Sequence, residues 1–238
     1  MLLSFLLLFA LCFASPVVAK DEKIGDFMTV GGGWSTFIVL VNTDLRSSAD
    51  VALTLFDARG GLFRDATLNN DGEYIGCYKE VKVSPGGVSV LVLNGGSELK
   101  TGWILLEGRV LGFLVRSDQG NLYSPTPFVT PSYQFEIPDA VWNLTSEEGT
   151  SEGCGLSFAN PNVRVGHVLA FELHAIEENG FEAGQTTFTL APGEQIAKVI
   201  NQFFPGLPTN FRGRIVASVR SGPFVQFGAG YTSLGFRF

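Results

Sequence analysis

The stretch that decides the fold is APGEQIAKVINQFFPGLPTNFRGRIVASVR, from Ala191 to Arg220. Its first part carries apolar residues at helical spacing, namely Ile196, Val199, Ile200, Phe203 and Phe204. This spacing predicts a short amphipathic helix over about residues 194–204, which begins after Pro192-Gly193 and ends before Pro205-Gly206. In the second part, Ile215, Ala217 and Val219 alternate with Arg214, Ser218 and Arg220. That alternation predicts a half-buried strand against which the helix packs.

The rest of the chain reads as short strands separated by glycine and proline turns. Strand patterns cover Phe37 to Val41, Val51 to Phe56, Tyr74 to Val83, Val88 to Leu93, Trp103 to Glu107 and Val110 to Arg116. Short strands at close spacing, with one short helix, are typical of β-sandwiches. We therefore expect an all-β protein built from antiparallel, Ig-like β-sandwich domains.

The strand plan repeats along the chain. Gly155 to Asn160 corresponds to Phe37 to Asn42, and the triplet Leu169, Phe171 and Leu173 corresponds to Val51, Leu53 and Leu55. The later landmarks that repeat are Pro85-Gly86 as Pro192-Gly193, Gly102 as Gly213, and Val110 to Arg116 as Phe224 to Gly228. The repetition predicts two tandem domains. The expected division is a signal peptide over 1–19, a first sandwich over 20–124, a proline-rich linker or edge segment over 125–138, and a second sandwich over 139–238.

Two phrases of the sequence resemble a known repeat module. GGGWSTFIVLVN and LAPGEQIAKVINQFFPGLPTNFRGRIVASVRSGPFVQFGAGYTS are similar to a tandem β-sandwich module of secreted and cell-surface proteins from environmental bacteria. The shared features are a glycine-tryptophan start, a strand that ends in asparagine, a helix between PG and FPG, and a strand with an FxG pattern. The resemblance implies a fold and an extracellular compartment, and it implies almost no activity.

The amino terminus indicates where the protein is located, and the net charge limits its partners. The run MLLSFLLLFALCFASPVVA, residues 1–19, has the apolar core and the small residues before the cleavage point that a secretory signal needs. We therefore expect a secreted or cell-surface protein, with the periplasm and outer membrane as further locations. The formal net charge is −7, from 16 basic and 23 acidic residues, which argues against binding to nucleic acid or to an anionic membrane surface.

The sequence lacks the residue sets that catalysis needs. Its two histidines, His167 and His174, lie an odd number of residues apart, so they would point to opposite faces of one strand. No nucleophile motif accompanies them, and the paired glutamates read as loop charge. We expect no enzyme activity, no cofactor and no metal site. A weak calcium site near Asn69 and Asp71 is left open, because the loop lacks the first and last acidic ligands.

Two further residue pairs are candidates for binding or for a covalent link. Trp34 and Trp142 lie beside polar loops, where an aromatic ring at a wet surface stacks on sugars. Cys77 and Cys154 remain after signal removal, and an exported protein permits a disulfide between them. The sequence leaves open whether they are bonded.

These observations favour an exported, non-enzymatic β-sandwich protein for surface attachment, extracellular structure or protein-protein contact. Its partner would be a protein or a surface glycan, and exposed strand edges would be a route to strand addition. Two alternatives remain. The terminal YTSLGFRF resembles the last strand of a small outer-membrane β-barrel. The tryptophans fit a carbohydrate-binding accessory module.

Overall fold

Antiparallel strands make up most of the chain in a computed structural model. The structure describes residues 21–64, 66–68, 73–74, 76–123, 125–132, 134–143, 152–163, 166–220 and 232–237. The expected signal peptide, and the loop with Asn69 and Asp71, lie outside the described residues. Phe224 to Gly228, which was expected to be a strand, lies outside them too.

The described strands fall into two groups, which we call the first and second halves. The first half contains β1 (Glu22–Val30), β2 (Trp34–Val41), β3 (Ala49–Asp57), β4 (Thr67–Leu68), β5 (Glu73–Tyr74), β6 (Tyr78–Val83), β7 (Val88–Asn94), β8 (Lys100–Glu107), β9 (Leu111–Asp118), β10 (Asn121–Leu122) and β11 (Thr126–Pro127). The second half contains β12 (Gln134–Asn143), β13 (Glu152–Ala159), β14 (Leu169–Glu177), β15 (Glu182–Leu190), β16 (Gln195–Val199), helix α1 (Ile200–Phe203), β17 (Asn210–Arg220) and β18 (Thr232–Arg237).

The first half forms two antiparallel sheets. One has the strand order β1-β8-β3-β6, and the other has the order β10-β9-β2-β7-β4-β5 with β11 also paired to β9. Alternating side chains of β2, β3 and β8 meet between the two sheets and form one apolar core, which includes Leu40, Leu53 and Ile104. The proline-rich segment expected over 125–138 contains β11, which pairs at the sheet edge, and the beginning of β12.

The second half repeats this strand order. Its strands run β15-β14-β17-β12-β13-β16, with β18 also paired to β13. The order β1-β8-β3-β6 of the first half thus recurs as β12-β17-β14-β15, and β9-β2-β7 recurs as β18-β13-β16. The expectation of an all-β protein with antiparallel sheets and one short helix is confirmed.

The pairing register recurs as well. In β1 the register against β8 shifts between Gly25 and Met28, and in β12 the register against β17 shifts between Ile137 and Ala140. Met28 then pairs with Gly102, and Ala140 pairs with Gly213. A bulge of this kind bends and twists a strand locally. The two halves therefore share a bulge at the same distance from the same glycine.

One predicted correspondence between the halves is shifted by two residues. The hydrogen-bonded turn from Asp57 to Gly61 has its match in the turn from Glu177 to Phe181. The counterparts of Val51, Leu53 and Leu55 are accordingly Phe171, Leu173 and Ala175, and not Leu169, Phe171 and Leu173. A shift of two keeps each side chain on the same face of the strand, so the sequence pattern alone does not reveal it.

A buried asparagine closes the end of a central strand in each half. Asn42 is 2% exposed and its side-chain amide donates to the carbonyl oxygens of Ser47 (2.8 Å) and Val83 (3.2 Å). Asn160 is fully buried, and its amide donates to the carbonyl oxygens of His167 (2.7 Å) and Leu190 (3.1 Å). Each asparagine thus ties a loop and a neighbouring strand to the strand that it ends.

The predicted helix over 194–204 is mostly strand. Gln195–Val199 pairs with β13, and the helix covers Ile200–Phe203 alone. Ile200 and Phe203 are buried in the second core, the apolar core of the second half, as expected for the apolar side of this segment. The pairing of β16 with β13 supplies hydrogen bonds that a short isolated helix would otherwise have to provide, so tertiary context overrides the local periodicity.

A third apolar cluster joins the two halves. Ile24, Phe56, Trp103 and Leu105 lie on the outer face of sheet β1-β8-β3-β6, and they pack with Ala159 of the second half. The Trp103 ring stacks on Phe56 with centroids 4.2 Å apart, and its indole N–H donates to the carbonyl oxygen of Gly193 (2.7 Å). Trp103 is fully buried.

Candidate functional site

The longest uncharged strand edge in the described part of the chain is β15. Its one described partner strand is β14, and no described strand pairs with its other side. A bulge opposite Ala175 and Ile176 lies near its beginning, after which Gly184–Leu190 pairs without interruption. Those seven residues, GQTTFTL, carry no charge. An edge of this length leaves backbone N–H and C=O groups open to another strand.

The equivalent edge of the first half, β6, is charged. The registers Val51 opposite Val81 and Phe171 opposite Phe188 align β6 with β15 residue by residue. Lys79, Glu80 and Lys82 of β6 then correspond to Thr186, Thr187 and Thr189 of β15, listed in the same order. Charged residues on an edge strand, including ones that point inward, oppose pairing with another strand. In the second half, threonines occupy these three positions, so the charges that oppose pairing are missing there.

Polar contacts surround β15 on the outer face of its sheet. His174 Nδ1 lies 3.0 Å from a Glu182 carboxylate oxygen, and the Gln185 amide donates to Glu172 (2.6 Å). Thr187 and Thr189 are exposed in the same row. On the opposite face, the half-buried Phe188 stacks on Phe171 with ring centroids 4.9 Å apart. The strand is therefore held firmly by its side chains on both faces while its backbone edge stays open.

A second surface feature is an open depression of about 650 Å³ beside β6. It is lined by both carboxylates and cations, among them Asp50, Glu80, Lys82, Glu107 and Arg109. The exposed Tyr78 donates a hydrogen bond to the Glu80 carboxylate (2.8 Å). That bond, with smaller contributions from burial and from the charges of Glu80 and Glu107, raises the pKa of Tyr78 above its usual value. The lining is too mixed in charge to define a ligand.

The two tryptophans predicted as ligand-binding residues lie in different environments. Trp34 begins β2 and is half-buried, and its ring stacks on Tyr123 with centroids 5.2 Å apart and planes 22° apart. Trp142 is 8% exposed and belongs to the second apolar core. Its position before a polar loop suggested exposure, but its strand places the ring inward. Trp34 is thus the one of the pair that offers ring surface to a ligand.

The structure describes the side chain of one of the two cysteines and part of the chain in which a metal site was sought. Cys77 is half-buried and its thiol is free in the structure. The side chain of Cys154, the other half of the pair whose bonding the sequence left open, is outside the described part. Among the residues that the structure describes, no group of three His, Cys, Asp or Glu side chains is placed to hold a metal ion. Within the same residues, no helix combines the length and the apolar character of a membrane span.

Sequence reasoning named edge strands as a class but did not identify β15. The signal was present as the run GQTTFTL, because threonine is frequent in strands and the run has no charge. That signal gains its meaning from the topology, since the same residues in a central strand would be unremarkable. The contact between the halves through Trp103 and Gly193 had no sequence signal.

The sequence matches no protein-family model and no curated protein.

Proposed function

We propose that the chain is an exported, non-enzymatic β-sandwich protein that makes protein-protein contacts in an extracellular structure or at the cell surface. The observation that carries this proposal is the uncharged edge of Gly184–Leu190, set against the charged edge at the same place in the first half. Strand addition to an open sheet edge draws affinity from main-chain hydrogen bonds and specificity from alternate side chains.

The joint between the halves supports a structural role. Besides the Trp103 contact, the backbone N–H of Gln195 donates to the carbonyl oxygen of Ala58 (3.0 Å), and Arg59 forms a β-bridge with Glu194. A Cβ on Gly60 would lie 2.8 Å from the carbonyl carbon of Gly193, so the two turns touch through their backbones. A load applied at β15 would therefore pass into the first half through packed contacts and hydrogen bonds.

The proposal includes the compartment and the origin of the two halves. The signal-like segment over 1–19 supports export. The shared strand order, bulge position and buried asparagine support duplication of one sandwich unit. The repeat module that the sequence resembles is likewise exported.

Site-specific photo-crosslinking in the cells that export the chain tests the contact. A photoreactive residue at Thr187 should give a crosslinked protein species on illumination, because that exposed side chain borders the open edge. The matched control carries the same group at Glu80, the aligned position of β6, and should give little or none. Equal yields at both positions, or no protein crosslink at position 187, would refute the proposed contact.

A second candidate function is carbohydrate binding at Trp34, which the stack on Tyr123 favours. An aromatic pair at a half-exposed surface offers a rigid apolar platform for a sugar ring. A glycan array tests it. Trp34→Ala should abolish binding of any captured glycan, whereas the outward-facing control Leu122→Ala, 69% exposed, should retain it.

A further inference from the structure

The edge strand β15 is complementary to itself. We propose that it pairs antiparallel with β15 of a second copy of the chain, in a register centred on Thr187, so that two second halves share one continuous sheet. This inference rests on the proposed contact function and specifies its partner.

The proposed register follows from the extent of the uncharged, regularly paired part of β15. The uncharged run Gly184–Leu190 has Thr187 at its centre, so the pairing that uses all seven residues places Thr187 opposite Thr187 of the second copy. Gln185 then faces Thr189, and Thr186 faces Phe188. A two-fold axis perpendicular to the sheet keeps the core face of both copies on the same side. Directly opposed threonines are favourable cross-strand pairs.

Charge does not oppose this register. Glu182 is the acidic residue of β15, and in the register centred on Thr187 it lies opposite Pro192, beyond the paired strand. No like charges therefore face each other across the contact. A partner strand of different sequence would meet the same neutral row, but nothing in that row selects a charged or aromatic ligand.

The first half excludes the equivalent pairing through β6. Centred on the matching residue, that pairing would place Glu80 directly opposite Glu80 of the second copy, and like charges directly opposite each other destabilise a strand pair. Pairing through β15 is two-fold symmetric and uses the same edge of both chains, so the association closes after two chains. A protein with both edges open would instead extend into a filament.

The partner strand would also complete the packing around Phe188. This ring is half-buried and lies edge-on to Phe158 (centroids 5.5 Å apart), stacked on Phe171 (4.9 Å) and tilted against Phe203 (5.5 Å). It lies on the last strand of the sheet, so one side has no further strand beside it among the described residues. Thr186 of the second copy would lie directly beside it and remove more of its apolar surface from water.

A charge-swap experiment on the full exported chain tests the inference. Sedimentation velocity from about 1 to 100 µM spans the range in which such contacts form, and the unaltered chain should sediment as two copies. T187K and T187E should each weaken the dimer roughly tenfold or more, because they oppose like charges at the axis. An equimolar mixture of T187K and T187E should restore the dimer. V90K, at an exposed position on β7 in a different sheet from β15, is the control and should remain dimeric.

Three outcomes would overturn the inference. They are an unaltered chain that stays monomeric over this range, a dimer that T187K leaves intact, and a mixture that does not restore association. Circular dichroism of each variant separates a lost contact from a lost fold. If the unaltered chain is monomeric but position 187 still crosslinks to a different protein, the second copy is refuted and the proposed contact function stands. If neither occurs, both fail.

Discussion

Replacing Gly213 by alanine tests the close approach of β14 and β17 that holds the second half together. An added Cβ would fall on the carbonyl oxygen of Ile176 and lie 2.9 Å from the Cα of Glu177. Both obstacles are backbone atoms, so no side-chain rotation relieves the clash. Gly213 has no positive φ, and alanine by itself would be acceptable in this strand. The cost therefore comes from forcing two paired strands apart.

We expect Gly213→Ala to lower the free energy of unfolding by roughly 3 kcal/mol, the upper end of what overpacking costs. With a urea m-value of about 3 kcal/mol/M, the midpoint of unfolding falls by about 1 M. Fluorescence follows the transition, since the buried Trp142 reports on the second core. Gly102→Ala, where the Cβ meets the carbonyl oxygen of Phe56, should cost a similar amount in the first half.

The control is Gly206→Ala. No atom lies within 4 Å of the added Cβ, and the residue has no positive φ. Its free energy of unfolding should change by less than about 0.5 kcal/mol. If Gly213→Ala and Gly206→Ala unfold at the same urea concentration, the two strands are not as close as the structure places them, and the shared register of the halves loses its main support.

Three further predictions follow from the same comparison of the halves. Asn160→Ala should destabilise the chain by about 2 kcal/mol in urea titrations, because it leaves two carbonyl oxygens without their donor. Asn42→Ala should have a similar effect for the same reason. An unchanged stability of either variant would contradict the role of that asparagine at the strand end. Glu80→Gln should lower the pKa of Tyr78 toward its usual value in an absorbance titration of the phenolate, since the carboxylate that stabilises the neutral phenol is gone; an unchanged pKa would place the cause elsewhere. The triple variant K79T/E80T/K82T should create a second uncharged strand edge and convert dimers into larger assemblies, which light scattering detects. A particle size equal to that of the unaltered chain would show that these charges do not prevent pairing at β6.

The features that the sequence predicted well are those in which one face of a strand is buried. Leu53 and Leu55 are buried and alternate with the half-buried Ala52 and Thr54, and this period of two survives in any register. The buried asparagines at the ends of β2 and β13 were also visible, as a repeated phrase. Such features depend on local pattern alone, so they do not require knowledge of which strand lies next to which.

The features that it missed depend on neighbours. Gln195–Val199 reads as helix by spacing, but β13 offers it a complete row of hydrogen bonds. Trp142 precedes a polar loop, yet the inward face of β12 puts its ring in the core. The two-residue error in matching β3 to β14 arose for the same reason, because only the pairing with β8 and β17 fixes the register.

The difference between the two edges shows why comparison within the chain is informative. Two halves with one strand order, one bulge and one buried asparagine experience the same demands from folding, so a residue that serves folding should have a similar counterpart. Lys79, Glu80 and Lys82 have threonines as counterparts, and those threonines do not pack in the core any better than the charged residues do. Folding does not explain the change, since both strands pair with one neighbour in the same register. The two edges differ in charge, which opposes the pairing of another strand with β6 and does not oppose it at Gly184–Leu190. That difference makes β15 the candidate for function.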